Sequence, residues 1–157
     1  MSAPNRQNTF VNFIEQATEK LKAASDETKW SPEEQKTLYL SAFTFYQQKN
    51  FALAEPLFTQ LCLSNPFEES FWRGLASSLQ MISKWKESLQ AWCIVALLQD
   101  QDPLPHFHAA ECFFLLKEKE EAEKALVQAE KRFSGAKDIE TLKNNICLLK
   151  TLLYTKQ

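Results

Sequence analysis

The chain has 157 residues, 45% of them hydrophobic, with 18 basic and 20 acidic side chains and a formal net charge of −2. That balance, with only three arginines (Arg6, Arg73 and Arg132), lacks the clustered basic face that displaces counterions from nucleic acid. Only two residues are glycine, Gly74 and Gly135, where average usage gives about eleven, so neither a dinucleotide fingerprint nor a phosphate loop can be written.

Two-residue hairpins also lean on glycine, so the expected class is all-α. A chain of this length buries one core without needing a metal or disulfide staple. The opening residues Met1 to Asn8 contain no apolar signal segment, and the longest apolar run, Ala91 to Leu98, is too short to span a bilayer. The expectation is a cytoplasmic protein with no membrane insertion.

Along the chain, the first element is a helix over residues 9–24, with Phe10, Phe13, Ile14, Ala17, Leu21 and Ala24 at helical spacing. Its stripe suits either a cap on the fold or pairing with a second copy, which would make a homodimer through the N-terminal helix. A polar break, Ser25 to Thr28, separates it from Ser31-Pro32-Glu33-Glu34, where Ser31 can cap, Pro32 suits the first helical position and Glu34 closes a capping box.

From Gln35 the sequence repeats every 34 residues without insertion or deletion, giving units 35–68, 69–102 and 103–136. Position 8 is Ala42, Ala76 and Ala110; position 20 is Ala54, Ser88 and Ala122. Small side chains at these two positions let paired helices approach closely. Large residues recur at position 11 (Phe45, Leu79, Phe113) and position 24 (Phe58, Trp92, Leu126). Pro66, at position 32, stops the second helix of unit one, and Ser134-Gly135 is expected to end unit three with Gly135 as a left-handed terminator. Residues 137–157 then supply an amphipathic lid, with Ile139, Leu142, Ile146, Leu149 and Leu153 on one stripe. This is the pattern of a tetratricopeptide (TPR) solenoid of three helix-turn-helix repeats, flanked by 1–31 and 137–157 in a single domain.

In such a solenoid the first helix of each pair lines a concave groove through positions 2, 5, 9 and 12. Unit one places Lys36, Tyr39, Phe43 and Tyr46 there, opposite the packing residues Leu38, Ala42 and Phe45; unit two places Ser70, Arg73, Ser77 and Gln80; unit three places Leu104, Phe107, Glu111 and Phe114. The expected groove has two aromatic ends and a polar middle, suited to an extended peptide. It lacks the lysine and asparagine at positions 5 and 9 that would clamp a terminal carboxylate.

The four cysteines contain no C-x-x-C pair and read as small buried hydrophobes. His108 and Cys112 share a helix face, but no third ligand or orienting acid accompanies them, so neither catalysis nor a metal or other cofactor is expected. The mixed charge run Lys117 to Lys124 reads as a solvated turn and helix start.

Leu38-Tyr39-x-x-Ala42-Phe43-x-x-Tyr46, the Leu61-Cys62 end of the next helix and Pro105-x-Phe107-His108-Ala109-Ala110-Glu111-Cys112 together resemble the class II chaperones of bacterial type III secretion, the SycD/LcrH group, in matching order over residues 32–133. The resemblance implies no enzymatic activity and a bacterial cytosolic role. It also implies binding of secreted, hydrophobic translocator proteins through an extended P-x-L-x-x-P segment near their N-terminus. Tyr39, Phe43 and Tyr46 match the family's groove aromatics, and Phe51 stands where tyrosine is usual. Arg73 replaces an apolar residue and Ala76 a glycine, which would narrow the central pocket. The alternative function is a TPR adaptor joining folded partners, within the secretion apparatus or elsewhere.

Overall fold

Residues 9–25 and 30–155 are described by a computed structural model, and all their regular structure is helical. The order is α1 (Thr9–Ser25), α2 (Pro32–Gln47), α3 (Phe51–Ser64), α4 (Glu69–Met81), α5 (Trp85–Leu98), α6 (Leu104–Leu115), α7 (Lys119–Glu130), a 3-10 turn (Phe133–Gly135) and α8 (Ile139–Thr155). Helices α2 to α7 pack each on the next, α1 lies against α3 and α5, and α8 closes the far end on α6 and α7.

The start of α2 is fixed as its sequence dictates. Ser31 Oγ accepts from Glu34 N at 3.2 Å while Glu34 Oε2 accepts from Ser31 N at 2.7 Å, a reciprocal capping box with Pro32 in the first turn. At the close contacts of each pair, Ala42, Ala76 and Ala110 and their opposites Ala54, Ser88 and Ala122 are all fully buried. Serine is tolerated in the middle pair because Ser88 Oγ donates to the Ala76 carbonyl at 2.8 Å, so its own buried hydroxyl is satisfied. Ala76 is fully buried at this contact and is not part of the cleft lining between α2 and α4.

The turns inside the three pairs are built identically without glycine. Lys49, Ser83 and Lys117, each 34 residues from the next, sit in the left-handed region with φ of 59°, 62° and 63°. In each, the N–H of the following residue reaches the carbonyl five residues back (Asn50 to Phe45, Lys84 to Leu79, Glu118 to Phe113) at 2.9 Å. This is the Schellman closure that glycine usually serves.

The two glycines are used for close approach instead. A Cβ on Gly74, in mid-α4, would stand 2.2 Å from the Phe58 ring, and one on Gly135 would stand 2.1 Å from the Gln101 carbonyl oxygen. Neither glycine has positive φ. Gly135 is therefore not a left-handed terminator; it lets the 3-10 turn lie against the loop before α6.

On α8, Leu142, Ile146, Leu149 and Leu153 are buried. On α1, Ala17 is fully buried, whereas the side chains of Phe10, Phe13, Ile14, Leu21 and Ala24 lie outside the described residues. Cys62, Cys93 and Cys112 are buried, but Cys147 is exposed: it falls on the solvent face of α8, away from the Leu142-Ile146-Leu149 stripe. Within the charge run, Glu121 is also not solvated; it is buried beneath Lys124, whose ammonium lies 2.8 Å from its carboxylate. Among the described residues no helix is long and apolar enough to cross a membrane.

Candidate peptide-binding groove

The first helices of successive pairs, α2, α4 and α6, bring the predicted groove residues to one side. Tyr39, Phe43 and Tyr46 of α2 meet Ser70, Arg73, Gly74 and Ser77 of α4 around a cleft of about 210 Å³, with the Phe58 ring also in its wall. The Tyr39 and Phe43 rings stack with centroids 6.1 Å apart, and Tyr46 meets Phe51 of α3 edge-on at 5.2 Å. Aromatic pairs of this geometry hold each other's orientation while leaving a face open. The absent side chain of Gly74 is what lets Phe58 reach the cleft.

The three α2 aromatics are not equivalent. Phe43 is 40% exposed, whereas Tyr39 and Tyr46 are half-buried and pack against the core. Tyr39 additionally leans on Phe58 at 6.1 Å and on Phe71 at 5.7 Å. Tyr39 is thus shared between groove and core.

Arg73 crosses the middle. Its Nη2 lies 2.8 Å from Asp102 and 3.0 Å from Glu69, and its Nε donates to Glu69 at 3.0 Å. Two carboxylates therefore neutralise the guanidinium and hold it in place, so its aliphatic stem contributes a wall to the cleft.

Toward unit three the groove becomes polar. Gln80 Oε1 accepts from the buried Trp92 indole at 2.9 Å, which leaves its amide N–H groups to donate elsewhere. Glu111 is bridged to His108 Nδ1 at 2.6 Å, and the His108 ring stacks on Trp92 at 4.5 Å. These contacts tie Gln80 of α4 to Glu111 of α6 through the indole of α5. The aromatic end expected here is largely absent: Phe107 is only 7% exposed, and Phe114 is half-buried against the core. Phe107 sits in the first turn of α6 and is one of that helix's buried residues.

The His108–Cys112 pair does not form. Cys112 is fully buried and its thiol faces Ser88 Oγ at 3.7 Å, while His108 turns to Glu111. Burial pushes the thiols of Cys93 and Cys112 up to about 12, so both stay protonated and poorly nucleophilic. Among the described residues no group of three His, Cys, Asp or Glu side chains is placed to hold a metal ion.

No family model matches the chain. Among solved structures it is similar to a chain of the CopN–Scc3 complex, 36% identical with a TM-score of 0.69, the match covering 74% of this chain and 69% of that one. It is also similar to the Yersinia enterocolitica type III secretion chaperone SycD in complex with a peptide of the translocator YopD, 25% identical with a TM-score of 0.73, over 80% of this chain and 96% of that one. The low calcium response locus protein H of Yersinia pestis is 27% identical over 109 residues, which span 69% of this chain and 65% of that relative's length. The chain belongs to the SycD/LcrH group of type III secretion chaperones.

Proposed function

We propose that this protein is a cytoplasmic chaperone, without enzymatic activity, that holds hydrophobic translocator proteins before export. It binds an extended P-x-L-x-x-P segment near their N-terminus in the α2–α4–α6 groove. The observation that carries this reading is the cleft between Tyr39, Phe43, Tyr46 and Arg73, which is apolar, about 210 Å³, and of a size for one aliphatic side chain. A proline-bearing segment is already extended and loses little conformational freedom when it binds. The leucine seats against Phe43 and Tyr46, and Gln80 and Glu111 meet main-chain groups farther along. The solved complex of the similar SycD with a YopD peptide supports this use of the fold.

Co-expression with a neighbouring translocator carrying long apolar spans tests the proposal. The expected result is a soluble complex, dissolved when the proline and leucine positions of the cargo segment are changed to aspartate. A partner that binds only as a folded domain would instead favour the adaptor reading.

A further inference from the structure

On the side of α6 away from the groove, α5 and α7 flank a cavity of about 590 Å³, floored by Ala96, His106, Ala109 and Ala125. The repeat supplies its own control. Thirty-four residues earlier, at the junction of α3 and α5, the matching positions hold larger side chains: Cys62 for Ala96, Trp72 for His106 and Leu75 for Ala109. There the Trp72 indole is buried, and its Nε1 donates to the Pro66 carbonyl at 2.8 Å. At the second junction the matching carbonyl, Asp100, is taken by Arg132 Nε at 2.6 Å. His106 is left with Nε2 buried and unpartnered among the described residues.

The two junctions also differ in what covers them. Over the first lies α1, which packs on α3 and α5. Its Gln16 bonds to Gln90, the repeat equivalent of the cavity-lining Lys124. The chain thus seats its own amphipathic helix on the filled groove. Among the described residues none covers the second, which is the one with space and an unsatisfied polar atom.

We infer that the α5–α7 groove docks an amphipathic helix of a partner protein, lying as α1 lies on α3 and α5, with a tryptophan side chain entering the cavity over His106. The partner supplies the indole that Trp72 supplies at the first junction, and the His106 ring, whose Nε2 is buried and unpartnered here, turns to accept from the indole N–H. The site faces away from the peptide groove and does not depend on the translocator reading.

Two probes test it, indole itself and a peptide of residues 9–25 carrying Phe13→Trp. Indole should bind saturably in the millimolar range, shifting the methyl signals of Ala96, Ala109 and Ala125, and 1-methylindole, which has no donor, should bind several-fold more weakly. The peptide should bind at least tenfold tighter than indole and compete with it. His106→Trp should take the place over Ala109 that the incoming indole needs and abolish both, as should Ala109→Leu if the first variant folds poorly. Absence of a saturable indole shift overturns the inference, as does peptide binding that these substitutions leave unchanged or that maps to Ala17 and Cys62. If the unaltered chain sediments as a dimer that His106→Trp dissociates, a second copy is the occupant and the inference is again overturned.

Discussion

The two ends of the groove start from the same sequence pattern and arrive at different surfaces. Tyr39, Phe43 and Tyr46 on α2 enclose an open cleft, whereas Phe107 on α6 is buried and Phe114 half-buried, leaving Gln80 and Glu111 as the polar groups of the far end. Repeat position fixes the side of a helix from which a side chain leaves; what packs beside that helix decides whether the side chain meets solvent. At the α2 end glycine at position 74 makes room for an aromatic wall. At the α6 end the Trp92–His108 stack closes the floor.

The largest expected effect comes from exchanging the roles assigned to the two ends. Phe107→Ala should cost about 3–5 kcal/mol of stability, as deletion of a buried ring does, and Phe43→Ala well under 1 kcal/mol. Paired denaturation curves check this, and equal costs would erase the distinction. Gly74→Ala comes next: the added methyl meets the Phe58 ring, so a loss of about 1–3 kcal/mol is expected together with a rearranged Tyr39 and Phe43 stack. Aromatic signals in the NMR spectrum would report the second part.

Lys49→Gly, Ser83→Gly and Lys117→Gly should each stabilise by about 0.5–1 kcal/mol, since all three residues bear the strain of left-handed backbone that glycine escapes. Thermal melts of the single and triple variants check whether the effect is equal along the solenoid. The smallest effect concerns His106. Burial first, then Arg132, lowers its pKa from 6.5 to about 4, although Asp100 and Asp102 act in the opposite sense. Between those values the unfolded chain takes up a proton that the native chain refuses. Stability should therefore fall as pH drops from about 6.5 toward 4, and His106→Asn should flatten this part of the pH profile.

Much of the architecture was legible in the sequence because it rests on volume and local hydrogen bonding. The alanines at positions 8 and 20, the Ser31–Glu34 box and the stripe of α8 are stated by residue type alone. Other features depend on what a residue meets across space. No residue type announces that Lys49, Ser83 and Lys117 are left-handed; only their common place in the repeat could have done so. Gly135 looked like a helix terminator, but its hydrogen atom faces the Gln101 carbonyl. Tyr39 fits the groove pattern and yet also braces Phe58 and Phe71, so a loss of binding in Tyr39→Ala would mix two causes. The cavity beside His106 was the least visible, because it is made of smaller side chains and shows only when the two junctions are set side by side.

Phe43 is therefore the position that isolates the groove. The most direct measurement is calorimetric titration of an N-terminal translocator segment of the P-x-L-x-x-P type into the unaltered chain and into Phe43→Ala, with melting temperature recorded for both. The account predicts a Kd at least tenfold weaker for Phe43→Ala with an essentially unchanged melting temperature. An unchanged Kd would contradict it, because the aromatic cleft would then not be where the cargo is held.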